Sequence, residues 1–201
     1  SVDMALAKGL ALVEPVQEVE RMSLEQAHGR VLAEAVKASV PLPLFDNSAM
    51  DGYAIRIADI AGAGPWRLPI VGRIAAGDAG NEPLPKGATL RIFTGAPVPP
   101  GCDAVVMQEM VRLEGDAIWL DRRPKLDENI RRAGEDLAAG TEIISAGRCI
   151  GPRAAALLAA SGCGKVAVRR RIRVAFFSTG SELRAPGVPL SPGQIWNSNR
   201  Y

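Results

Sequence analysis

Residues 44–56 read LFDNSAMDGYAIR, and the change of period inside this stretch decides the fold. From Asp51 to about Asp136 the helical spacing of apolar residues gives way to short alternating runs separated by glycine and proline. Such alternation is the mark of half-buried strands. The runs are YAIRI (53–57), RLPIVG (67–72), TLRIF (89–93), AVVMQ (104–108), VRLE (111–114) and AIWL (117–120). The last two predict a hairpin, because Gly115-Asp116 between them suits a two-residue turn in which glycine supplies the positive φ. An all-β module is expected here.

Working outward, DMALAKGLALV (3–13) has Met4, Ala7 and Leu10 at helical spacing, and Pro15 ends the run. VQEVERM (16–22) alternates as a short strand. Ser23-Leu24-Glu25-Gln26 has the form of a capping box, and Leu24, Ala27, Val31 and Leu32 continue it as a predicted second helix to about residue 35. Pro41 and Pro43 keep VKASVPLPLF (36–45) extended. Beyond the β module, PRAAALLAAS (152–161) predicts a helix with Pro152 in its first turn and Gly162 past its end. IRVAFFSTG (172–180) predicts a strand buried on both faces of a parallel sheet, running into the polar turn STGSEL (178–183). Ligands in open α/β sheets bind beyond the carboxyl ends of such strands. Asn197, Ser198 and Asn199 resemble a helix cap with no helix after it, so the chain is expected to stop inside an α/β domain.

Composition narrows the function classes. The 201 residues are 47% hydrophobic and 23% charged, which is ordinary globular material. A formal net charge of +2 gives no electrostatic argument for nucleic acid or an anionic membrane. No apolar run approaches the roughly 20 residues of a spanning helix, and no secretory signal is visible, so a soluble cytoplasmic protein is expected. Cys102, Cys149 and Cys163 have no metal or disulfide spacing and are expected to be reduced packing residues. The single histidine, His28, is expected as filler, which disfavours histidine-based catalysis.

Four clusters could carry chemistry. Asp46, Asn47, Ser48 and Asp51 could coordinate a hard cation, position a water or hold an amino group, or could form an Asx-type turn. Thr94-Gly95 in RIFTGAPVPPG (91–101) is either a rigid functional loop or a proline-rich connection. Arg131 and Arg132 in ENIRRAGED (128–136) could grip a phosphate or form a solvated salt-bridged surface, and RRRIR (169–173) could be a charge-protected strand edge. STGSEL, with Glu182, lacks the remaining glycines of a dinucleotide loop and the lysine of a P-loop.

Taken in order, LFDNSAMDGYAIR, RIFTGAPVPPGCDAVVMQE, ENIRRAGEDLAAG and RVAFFSTGSEL with GQIWNSNR resemble the molybdopterin molybdenumtransferases, the MoeA and gephyrin E-domain family. The resemblance implies a multidomain α+β fold. A discontinuous helical linking domain (1–43 and 138–170) would carry an inserted β module (44–137), followed by the truncated start of an α/β molybdopterin-binding domain (171–201). It implies a homodimeric enzyme that inserts molybdate into adenylylated molybdopterin with release of AMP, in contact with the molybdopterin adenylyltransferase, this chain being an incomplete portion not active alone. By motif matching, Asp51, Thr94, Asp136 and Glu182 stand at catalytic positions, and Ser48, Ser178, Thr179, Gly180 and Asn199 at substrate-binding ones. Asp51 and Glu182 from facing subunits would help place Mg²⁺. Family members often have an acidic residue where Ser181 stands, which leaves this loop less charged. The alternative is a non-catalytic dimerisation or scaffold module of the same descent.

Overall fold

The computed structural model describes residues 1–201. It is an α+β chain with two α-helices, α1 (Val2–Ala11) and α2 (Pro152–Ala160), and many strands. In chain order these are β1 (Val19–Ser23), β2 (Val36–Lys37), β3 (Asn47–Ser48), β4 (Gly52–Ile55), β5 (Trp66–Ile74), β6 (Thr89–Ile92) and β7 (Ala104–Met107). They continue with β8 (Arg112–Glu114), β9 (Ala117–Leu120), β10 (Ile130–Arg131), β11 (Glu142–Ile144), β12 (Lys165–Arg169), β13 (Leu183–Arg184) and β14 (Ile195–Trp196). No helix is long and apolar enough to cross a membrane. The chain divides into two compact units, Arg21–Val168 and a second made of Ser1–Glu20 with Arg169–Tyr201.

The first unit is built on a six-stranded sheet in the order β7-β4-β6-β5-β9-β8. All its pairs are antiparallel except β5 with β6. Each predicted alternating run became one of its strands. The hairpin is as expected, with Glu114 facing Ala117 and Gly115 at φ +60°. Alternation then sorts residues onto two faces. Tyr53, Ile55, Leu68, Val106, Ile118 and Leu120 form one core cluster, while Ala54, Ile74, Leu84, Ile92, Val105 and Ile130 form another. A third cluster joins the flanking segments, with Ala27 and Leu32 packed on Ile150, Leu158, Val166 and Val168.

The predicted helix over residues 23–35 is overturned. Only a 3-10 turn, Leu24–Gln26, forms, and the Ser23 side chain makes no cap bond. Gly29 turns the chain at φ +72°, after which Val31 bridges Cys149 and Leu32 bridges Val168. Backbone pairing with residues more than 100 positions away wins over local propensity, so this flanking region is less helical than expected. The predicted helix at 152–161 is present, with Gly162 at φ +78° past its end.

In the second unit, α1 is capped by Ser1, whose hydroxyl accepts from Met4 N at 3.3 Å, and no residue of it is buried. The strand predicted over 172–180 does not form, and no residue between 171 and 201 is buried. Val174, Phe176 and Phe177 are exposed. A strand needs a ladder partner for its backbone groups, and Ile172–Gly180 has none; β13 and β14 pair instead, in parallel. The charge-protected edge predicted at 169–173 likewise ends at Arg169, where β12 ends.

Candidate functional site

Three of the four motifs meet in the first unit. The residues before β4 lie between the other two, with Ser48 N donating to Ala96 O and Ala49 N to Asn129 O. β3 pairs with β10, Ser48 opposite Ile130 and Asn47 opposite Arg131. Gly95 N returns a bond to Ser48 O at 2.8 Å. The polar stretch is therefore hydrogen-bonded on both sides before it delivers Asp51 to β4.

Asp51 is held by the second motif. Its Oδ1 accepts from Thr94 N at 2.8 Å and from Thr94 Oγ1 at 2.7 Å, across 43 positions of sequence. The Thr94 amide first, then the Thr94 hydroxyl, hold the carboxyl below its ordinary value, and the positive charge of Arg91 adds to this. Asp51 is thus an oriented carboxylate whose two clamp bonds both go to Oδ1, leaving Oδ2 outside them. Gly52 beside it is a required glycine, since a Cβ there would fall 2.1 Å from Val106 O.

Ser48, expected at a substrate-binding position, is instead buried. Its hydroxyl donates to Met50 O at 2.6 Å and accepts from Met50 N at 3.3 Å. It builds the turn that presents Asp51. Asn47 turns back to Phe45 O, and Asp46 accepts from Ala133 N at 2.8 Å and pairs with Arg132. Backbone donation from Ala133, reinforced by Arg132, lowers the Asp46 carboxyl. These are the turn roles left open by the sequence.

The arginines of the third motif are neutralised. Arg131 bonds Glu135 at 2.5 Å and Asp136 at 2.6 Å, and Arg132 pairs with Asp46 and Asp127. That is the salt-bridged alternative, and it places Asp136 on the arginine cluster. Arg131 is the main cause of the lowered Glu135 carboxyl.

The fourth motif lies in the other compact unit. There Ser178 Oγ donates to Asn197 Oδ1 at 3.3 Å, and Ile195 N donates to Glu182 O at 3.0 Å, so STGSEL and GQIWNSNR come together. Gly180 has φ +148°, and a Cβ on it would meet Glu182 Oε1 at 2.4 Å. Thr179, Glu182 and Asn199 are all exposed, with Glu182 on the turn before β13 and Asn199 in the 3-10 turn Ser198–Arg200.

The family model for the MoeA N-terminal region, domains I and II, matches residues 1–162. The chain belongs to the MoeA family. It is 39% identical over 202 residues to the molybdopterin molybdenumtransferase of Haemophilus influenzae, covering 100% of this chain and 50% of that protein. It is 45% identical over 179 residues to molybdopterin molybdenumtransferase 2 of Mycobacterium tuberculosis, covering 88% and 44%. The crystal structure of the molybdopterin biosynthesis MoeA protein from Pyrococcus horikoshii OT3 superposes with a TM-score of 0.87 at 35% identity, over 98% of this chain and 53% of that one. The chain spans about half the length of the curated relatives it matches.

In this MoeA chain no group of three or more His, Cys, Asp or Glu side chains forms a metal cage. The three cysteines are free. Cys102 is packed, with burial pushing its thiol up to about 11, whereas Cys149 is exposed, contrary to a packing role. His28 is exposed in a turn. One residue was missed: Arg91, two positions before the FTGAP motif, stacks over Tyr53 at 4.9 Å and Phe93 at 5.2 Å beside Asp51. Its place opposite Tyr53 follows only from the strand register.

Proposed function

We propose that this chain serves molybdenum cofactor biosynthesis, in the insertion of molybdate into adenylylated molybdopterin with release of AMP. The observation that carries the reading is the Asp51 carboxylate clamped by the backbone and hydroxyl of Thr94. The reaction is a displacement at the phosphoanhydride that bridges pterin and adenylate, with molybdate or water as nucleophile. Such chemistry depends on positioning and on neutralising spread negative charge. Asp51 with Thr94 forms one half of the site on the β module (44–137). Ser178, Thr179, Gly180, Glu182 and Asn199 form the substrate-facing part of the α/β segment, and Asp136 orders the arginine cluster beside the first half. A homodimer, with the halves contributed by facing subunits, and delivery of substrate by the adenylyltransferase in the cytoplasm complete the reading.

Mg²⁺ is commonly bound by one or two carboxylates together with substrate phosphates and water. Asp51 Oδ2 and the Glu182 carboxylate fit such a partial donor set, which needs no cage within one chain. The ion would supply charge neutralisation at the phosphoanhydride. Calorimetry with adenylylated molybdopterin tests the reading. Saturable binding that weakens in Asp51→Asn is expected; absence of binding by an intact dimer would favour the scaffold reading.

A further inference from the structure

Arg91 differs from the ion-paired arginines of the β module. Arg122 pairs with Glu128, Arg131 with Glu135 and Asp136, and Arg132 with Asp46 and Asp127. Arg91 makes no salt bridge. Its guanidinium lies on the rings of Tyr53 and Phe93, and its one hydrogen bond goes to Gln108 Oε1. Gln108 Nε2 in turn donates to Glu109 Oε1 at 2.8 Å, so a neutral amide stands between the guanidinium and that carboxylate. The aromatic faces orient the planar cation and leave its charge available.

The sheet adds a second cation. β5 and β6 run parallel with Arg73 opposite Arg91, and β4 places Tyr53 opposite Arg91 on the other side. Cross-strand register puts Tyr53, Arg91 and Arg73 on one face of the sheet, and the Phe93 ring reaches the Arg91 guanidinium from the end of β6. Like charges directly opposite one another disfavour the ladder, and neither arginine makes a salt bridge, Arg91 acting on the Asp51 carboxylate only through its charge. Beside Arg91 opens a groove of about 450 Å³ lined by Tyr53, Arg91, Gln108, Glu109, Val111 and Leu113.

We propose that Arg91, with Arg73 beside it, is an anion-receiving strip that binds a phosphate or phosphoanhydride group of the ligand next to the Asp51–Thr94 clamp. This deepens the molybdopterin reading and rests on it for the identity of the ligand. A carboxylate and a phosphoanhydride repel each other, and the paired guanidinium groups offset that repulsion with bidentate, charge-assisted hydrogen bonds.

The test uses this chain and inorganic pyrophosphate without divalent ions, followed through the Arg91 side-chain N–H and Thr94 amide resonances. Saturable shifts are expected. Arg91→Gln should weaken binding about tenfold and Arg73→Gln about threefold, as loss of a charge-assisted bond implies. Arg91→Lys should fall between wild type and Arg91→Gln. Arg112→Gln should bind as wild type, since Arg112 stacks on Trp119 across β8 and β9, away from the strip. Unmoved resonances at millimolar pyrophosphate, or equal affinity in Arg91→Gln, would overturn the strip. Pyrophosphate binding through Arg91 with no response to adenylylated molybdopterin would uphold it while removing the proposed ligand.

Discussion

Two motif-bearing regions of this chain are built differently. Around Asp51, loop residues are bonded on both sides, to 94–98 and to 129–133, and the strand that follows is an interior strand of a six-stranded sheet with every residue of β4 buried. Around Glu182, the motif is held by a two-residue parallel ladder and a few side-chain bonds, with no buried residue in the segment. The first geometry is over-determined by its surroundings; the second rests on local turn chemistry. A carboxylate whose angle must be right is better placed by the first kind of support.

The two regions should differ most in what a truncation costs in stability. Ile55 is fully buried in β4, so Ile55→Ala should cost about 2–5 kcal/mol in denaturant unfolding. Phe177 is 87% exposed, so Phe177→Ala should change unfolding by less than about 0.5 kcal/mol. Similar costs at the two positions would erase the distinction. Amide exchange should follow the same line, slow in β4 and β6 and fast over 171–180.

A smaller effect is expected at Ser48. Ser48→Ala removes both bonds to Met50 from a buried position and should cost about 1–2 kcal/mol. Phosphoanhydride binding should weaken with it, because the turn presents Asp51. Retained stability with full binding would show that the turn holds without the hydroxyl.

The smallest effect is pH-dependent. The Asp46 carboxyl is lowered from 3.8 by the Ala133 amide and by Arg132. Its contribution to stability is therefore fully present above pH 3.8 and is lost as pH falls through the depressed folded value. Its side chain is 38% exposed, so screening keeps the effect modest. Unfolding of wild type and Asp46→Asn should differ by a constant amount at neutral pH and converge in acid; a difference that grows in acid would contradict the bond to Ala133.

Much of the β module was legible because period-two alternation and turn glycines are local signals. YAIRI, TLRIF and AIWL each became a strand of the large sheet, and Gly115 turned the hairpin. The segment after Ser23 misled because its local pattern is helical while Val31 and Leu32 find distant backbone partners. IRVAFFSTG misled in the opposite sense: its composition suits a buried strand, yet a strand exists only with a neighbour. The two-residue strands β2, β3, β10 and β11 are too short to leave a pattern. At the site, Asp51 and Thr94 were each visible in a motif, but nothing local announces a bond across 43 positions. Ser48 was left between a turn and a substrate-binding position because burial of a self-satisfied hydroxyl has no sequence signature. Arg91 was passed over because its meaning comes from the strand register.

Titration of Asp51 followed by carboxyl ¹³C resonance tests the Asp51–Thr94 clamp most directly. The clamp predicts a midpoint below 3.8 in the wild type that moves upward in Thr94→Val, which removes the hydroxyl and keeps the amide. An Asp51 carboxyl that titrates at its ordinary value, or one indifferent to Thr94→Val, would contradict it.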